Sequence, residues 1–387
     1  MNAKTRNTYD VCVIAVSLFV ITLSANIQIP LYPKYAVEGG YGNGFIALVF
    51  SVYVMGLIPV LIVFGGISDR IGRKISIIIA LLISLFSNAL ISVYGSVEIL
   101  FLVRLLQGIS VAIVLGASAA CLSEYIDDVN RAANIHGILV SLGLGSGAIM
   151  TCFSMSLLNW RVPMSYYMIS ILNLICILMA MKINRDDVRG VGAMVRLPVI
   201  TSKSWKFCCS IFLAWSLVGV VISIVPSLLG DLDFDDSAGI VVFLAVATGA
   251  FFQPLCRNRT SDWALRTGLC IAVIAYVLLV VGIYLSSIPI ILLSAGLTGA
   301  SGLGFVYVGG LRLVMDTESV LTSRAVSGYL IFGYLGLGLP CVGIGYLGDV
   351  VGVSQAIVLY GIVSVALVVC GYIVGLRTKA SRNNLIA

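Results

Sequence analysis

Apolar residues run in stretches of about twenty, one after another, for almost the whole of the 387-residue chain. Each run is long enough to carry an α-helix across a hydrocarbon core of about 30 Å. The runs fall at 9–30, 43–67, 74–94, 98–122, 132–154 and 164–182, and then at 205–229, 236–256, 265–286, 288–313, 324–346 and 353–376. Twelve crossings put both termini on one side. The polar interval between the two sets holds Arg185, Asp186, Asp187, Arg189, Arg196 and Pro198. The organisation expected is a six-helix bundle over 1–182, a linker over 183–204 and a second six-helix bundle over 205–387. A faint repeat agrees with it. Ile27-Gln28-Ile29-Pro30 closes the first span and Ile224-Val225-Pro226 closes the seventh at nearly the same depth.

Composition narrows the class. Hydrophobic residues make up 60% of the chain and charged residues 10%, with a mean hydropathy of +1.11; soluble domains carry roughly a quarter charged residues. An all-α polytopic membrane protein is the class that fits. The first run follows Lys4 and Arg6, but it is too long for a signal peptide and lacks a small-residue cleavage pattern. It is read as an uncleaved helix.

The net charge of +6 lies almost entirely in alternate loops, which the positive-inside rule explains without a nucleic-acid partner. Lys4, Arg6, the 69–74 turn, Arg131, the 182–206 stretch, Arg257, Arg259, Arg266, Arg324, Arg377, Lys379 and Arg382 mark the cytoplasmic face. Lys34 and Arg161 fall outside. The ten cysteines show no Cys-x-x-Cys spacing, so neither a disulfide framework nor a metal site is indicated. The spans carry no acid–nucleophile cluster, so neither an enzyme nor a cofactor is expected.

Two short stretches carry the chemistry. The first is Gly65-Gly66-Ile67-Ser68-Asp69-Arg70-Ile71-Gly72-Arg73-Lys74, packed between the second and third spans. Its glycines allow a sharp turn and close backbone approach. Asp69 offers a carboxylate to nearby helix N-termini or cations. The second is Arg104, in the outer third of the fourth span within Val103-Arg104-Leu105-Leu106-Gln107-Gly108. An arginine at such depth costs about 2.5–3.5 kcal/mol on insertion scales, so it must face a polar cavity or a partner.

The Gly-x-x-x-Asp-Arg-x-Gly-Arg-Lys turn resembles the signature loop of the major facilitator superfamily, and Arg-x-x-Gln-Gly resembles that superfamily's fourth-span motif. The resemblance implies two six-helix halves that rock about a midplane site. It further implies a conformational lock at Gly65, Asp69, Arg70, Gly72, Arg73 and Lys74, with Glu124 placed to pair with Arg70 or Arg73. Proton coupling is implied at Arg104 and Gln107.

The fifth span, with Gly137, Gly143, Gly145 and Gly147, is similar to the glycine-rich span of the drug–proton antiporters, although Gly147-Ala148 stands where that group has Gly-Pro. Small residues there also allow simple close packing. The eleventh span (Gly333, Gly336, Gly338, Pro340, Gly343) looks like the gating helix that the Asp69 turn contacts. Gly345-x-x-x-Asp349-x-x-Gly352 repeats part of the signature, but on the outer face, where it is taken as coincidence.

Amide and aromatic side chains suited to an amphipathic organic substrate are Asn26, Gln28, Tyr32, Tyr53, Trp215, Gln253, Tyr329 and Tyr334. The first span has no carboxylate at mid-depth, and His136 is the sole histidine. The function implied is proton-coupled export of small organic compounds by a monomer in the lipid bilayer of a bacterial inner (plasma) membrane. Both termini are then cytoplasmic, and the cargo is drug-like or a secreted metabolite such as a siderophore. The alternatives are an importer of a small nutrient or metal chelate, and a transport-inactive sensor.

Overall fold

The computed structural model describes residues 3–63, 70–126, 129–157, 162–183, 197–231, 237–256, 259–318 and 322–367. Among them all regular structure is helical. Ten helices are long and apolar enough to cross a membrane, and two shorter apolar helices, Met164–Ala180 and Val353–Leu367, complete the order expected from the runs. Most of the polar interval, 184–196, lies outside the described residues.

Within the first six spans, the fourth (Val97–Tyr125) packs between the second (Asn43–Val63) and third (Arg73–Tyr94), and the first packs on the fourth, fifth and sixth. In the last six, the seventh (Trp205–Ser223) lies along the eleventh (Thr322–Val351), and the ninth (Ser261–Tyr284) along the tenth. Two extensive crossings join the sets, the second span against the eleventh and the fifth against the eighth. One apolar core runs through both sets, from Leu23 and Ile27 to Val221 and Val242.

Turns sit where glycine permits them. The third span ends on Gly95 at φ +56, and Ser96 then caps the fourth by accepting from the Ile99 N–H at 3.5 Å. Gly72, at φ +91, starts the third span.

The first span differs from the continuous helix expected over 9–30. Its α-helix ends at Ser24, turns through 25–28, passes a single 3-10 turn at Ile29–Leu31 and resumes over Tyr32–Gly39. Pro30 has no N–H, and its ring crowds the carbonyl four residues back, so the helix opens a turn before the proline. The seventh span breaks at its counterpart, after Ser223, and restarts over Val225–Asp231. The tenth widens to π-geometry over Ala300–Val306.

The eleventh span runs past its expected end to Val351, and Gly352 at φ +91 turns the chain into the twelfth. Asp349, treated as coincidental in the sequence, meets the start of the second span: its Oδ1 accepts from the Asn43 N–H at 2.7 Å and its Oδ2 from the Gly44 N–H at 2.9 Å.

Candidate functional site

The break in the first span builds a polar knot. A helix that opens leaves carbonyls without their backbone donors, and in an apolar bundle these need other partners. Side chains of the fourth span supply them. Arg104 Nη1 donates to the Ala25 carbonyl at 2.6 Å, and Gln107 Nε2 donates to the Ser24 carbonyl at 3.1 Å. Gln28 Nε2 donates to Gln107 Oε1 at 2.7 Å and to the Ala25 carbonyl at 3.1 Å. Arg104 Nη1 also reaches Gln107 Oε1 at 3.4 Å.

Arg104 is the largest fully buried side chain among the described residues. Its Nη2 donates to the Phe50 carbonyl at 3.2 Å, and its guanidinium lies 5.2 Å from the Phe50 ring and 4.9 Å from the Tyr53 ring. The charge is thus solvated by carbonyl dipoles, one amide and two aromatic faces. No carboxylate is among these partners, and Arg104 Nε makes no hydrogen bond.

Gly108 explains how the second span comes so close. A Cβ there would overlap the Tyr53 carbonyl oxygen and stand 2.9 Å from the Leu57 nitrogen, and one at Gly56 would overlap the Leu105 carbonyl oxygen. Backbone meets backbone, which brings Phe50 and Tyr53 onto the guanidinium.

The fifth-span glycines serve two faces. Gly143 and Gly147 seat the first span, where a Cβ would overlap Thr22 and the Leu23 carbonyl oxygen respectively, and Asn26 Nδ2 donates to the Leu144 carbonyl at 2.8 Å. Gly145 faces the eighth span against Phe243. The glycine signal therefore belongs to helix packing on both sides of the break.

The aromatic candidates gather where the two sets meet. Tyr334 packs against the cluster that contains Tyr53. Its ring is edge-on to Trp215 at 5.1 Å, and Trp215 lies 6.2 Å from Tyr307. Trp215 Nε1 donates to the Gly302 carbonyl at 3.1 Å, inside the π-segment. Arg104, Tyr53, Tyr334 and Trp215 thus form a line from one set of spans to the other.

Two candidates stand apart from that line, and a third, Tyr32, lies beside the knot near Arg104 and Gln28. Tyr329 is fully buried within the last six spans and donates to the Val306 carbonyl at 2.8 Å. Gln253 Nε2 donates to the Leu303 carbonyl at 3.1 Å. Tyr32 is buried just beyond the break.

At the other end of the first six spans, Arg73 pairs with Glu124 and donates through Nη1 to the Ala120 carbonyl at 3.4 Å. A small cleft of about 30 Å³ there is lined by Ile14, Arg73, Lys74, Cys121 and Glu124. Arg70 is exposed. Gly65 and Asp69, the centre of the expected lock, lie outside the described residues. Asp10 is 3% exposed and accepts from the Tyr125 hydroxyl at 3.1 Å. His136 Nε2 is 3.2 Å from both the Leu115 carbonyl and Ser118 Oγ, a helix-packing role. Sequence reasoning missed the partner of Asp349; the repeated Gly-x-x-x-Asp spacing was the signal.

Comparison with known proteins agrees with this architecture. The profile of the Major Facilitator Superfamily matches residues 14–205. Multidrug resistance protein 1 of Bacillus subtilis is 30% identical over 144 residues, 36% of this chain and 34% of that protein. The quinolone resistance protein NorA of Staphylococcus aureus is 22% identical over 206 residues, 51% of each chain. The match therefore spans about half of these curated relatives or less. A point mutant of the nucleoside transporter NupG superposes with a TM-score of 0.78 at 15% identity, over 94% of this chain and 99% of that one. A bacterial homologue of the human lysosomal transporter Spinster, inward-facing and unoccupied, gives a TM-score of 0.76 at 14% identity, over 97% and 98%. With signature motifs in the first half, a matching family profile and the fold throughout, the chain is an integral membrane protein of the major facilitator superfamily.

Proposed function

We propose that this protein is a secondary active exporter of small organic compounds, exchanging them for protons by alternating access across a bacterial inner membrane, with both termini cytoplasmic. The observation that carries the reading is the buried Arg104 guanidinium at the break of the first span. A charge of that kind is expensive in a lipid-immersed bundle and marks a working site by default. It also joins three spans of one half to an aromatic line that crosses into the other half. Rocking of the halves has to disturb that line.

The two halves are residues 1–182 and 205–387. The 65–74 turn, with Glu124, acts as the cytoplasmic lock. Arg104 and Gln107 couple proton movement to transport: an uncompensated cation favours the ionised form of any carboxyl brought near it, including one on the cargo. Tyr53, Tyr334 and Trp215 offer apolar faces with polar edges, which suits amphipathic cargo. The names of the matched relatives, resistance proteins, support export of drug-like molecules.

The test is flux across reconstituted vesicles, with and without a pH gradient, for dyes, antibiotics and metal chelates. Export of at least one class driven by the proton gradient is expected. Flux in the direction of the gradient would make the protein an importer, and flux indifferent to it would remove the coupling.

A further inference from the structure

Asp349 lies in the last turn of the eleventh span, on the face opposite the Arg73–Glu124 pair. Its two carboxylate oxygens take the Asn43 and Gly44 N–H groups, the first two of the second span, at 2.7 and 2.9 Å. The first N–H groups of a helix have no acceptor within it and form its positive end. A carboxylate across both is a charge-assisted, two-point cap. Here the cap comes from the other set of six spans, so the bond ties the sets together.

The backbone around it is cut to the same fit. A Cβ on Gly345 would stand 2.8 Å from the Asn43 carbonyl oxygen and 2.9 Å from the Ala47 Cβ, and one on Gly42 would stand 2.5 Å from the Asp349 carboxylate. The Asp349 side chain is also exposed. When the spans part, water can take over both the N–H groups and the carboxylate. A contact of this kind forms and breaks cheaply, unlike the buried knot at Arg104.

We propose that Asp349 is the latch of the outer face: it holds the eleventh span to the second while that face is shut, and lets go when it opens. The proposal rests on the alternating-access reading above. It gives meaning to the spacing of Gly345, Asp349 and Gly352, which repeats that of Gly65, Asp69 and Gly72. The second and eleventh spans run antiparallel, and each carries Gly-x-x-x-Asp at its C-terminal end. One helix pair then carries a lock at either end. Asp349 is a positioning residue in this scheme and does not touch the cargo.

Hydrogen–deuterium exchange on the full-length protein in lipid nanodiscs, without substrate or gradient, tests this. For Asp349→Ala, exchange in peptides covering 42–50 and 343–351 is expected to rise about tenfold, while peptides over 73–80 and 118–125 stay as protected as in the parent or more so. Asp349→Asn keeps the shape and one acceptor and should fall between. Asn43→Pro removes one of the two donors at a helix position that tolerates proline, and should give a smaller rise with Asp349 intact.

Unchanged exchange at 42–50 in Asp349→Ala and Asp349→Asn overturns the latch, as does a rise spread evenly over all spans. The readout needs no transport, so a failed flux assay leaves the latch standing. Intact flux with unchanged exchange removes the latch alone.

Discussion

The Arg104 guanidinium donates to the Ala25 carbonyl at 2.6 Å, across 79 residues of chain. That bond joins two features that each look unfavourable alone. A helix broken in the membrane exposes carbonyls, and an arginine in the membrane needs acceptors. Together they satisfy each other, and Gln107 and Gln28 complete the set.

Close approach of the second and fourth spans depends on Gly108. Alanine there would drive its Cβ into the Tyr53 carbonyl, and the backbones must part. Overpacking of this kind costs about 1–3 kcal/mol. A lower melting temperature and weakened transport are expected for Gly108→Ala. Gly116 has open space around its Cβ position, so Gly116→Ala on the same helix should melt like the parent. Equal melting of the two variants would contradict the packing described.

The lock on the Arg73 face should respond differently. Side chains of Arg73 and Glu124 are 20% and 33% exposed, and such pairs contribute at most about 1 kcal/mol to stability. Glu124→Gln and Asp69→Asn are expected to leave melting within about 2 °C of the parent yet to slow turnover severalfold in vesicles. Parent-like turnover in both would remove the lock from the cycle.

Trp215 fixes the π-segment through its bond to the Gly302 carbonyl. Trp215→Phe keeps most of the ring area but removes one of the donors on that carbonyl, which retains the Tyr307 N–H, a loss of about 0.5–1.5 kcal/mol. The expected result is a modest drop in stability and a changed ranking of transported dyes. An unchanged ranking would place Trp215 in packing alone.

Much of this was legible in the chain. Twelve apolar runs, the mid-chain polar interval and the Asp69 and Arg104 motifs follow from hydropathy and from charges that lipid does not tolerate. Glu124 was placed to pair with Arg70 or Arg73, and the structure pairs it with Arg73. The break at 25–28 was hidden because Pro30 reads equally well as the end of a helix; only the Arg104 and Gln107 contacts distinguish the two. Tyr329 reads as a cavity tyrosine, yet it is buried on the Val306 carbonyl, since sequence gives no sign of which helix face a tyrosine takes. Asp349 was set aside because its motif fell on the unexpected face. Its partner is a helix N-terminus more than three hundred residues away, which no local pattern reveals.

Arg104 is the residue on which the proposed coupling depends. In proteoliposomes holding the full-length protein, flux of a transported dye driven by a pH gradient should be lost in Arg104→Ala while binding-independent leak stays at the level of empty vesicles. Gradient-driven flux in Arg104→Ala equal to that of the parent would contradict it.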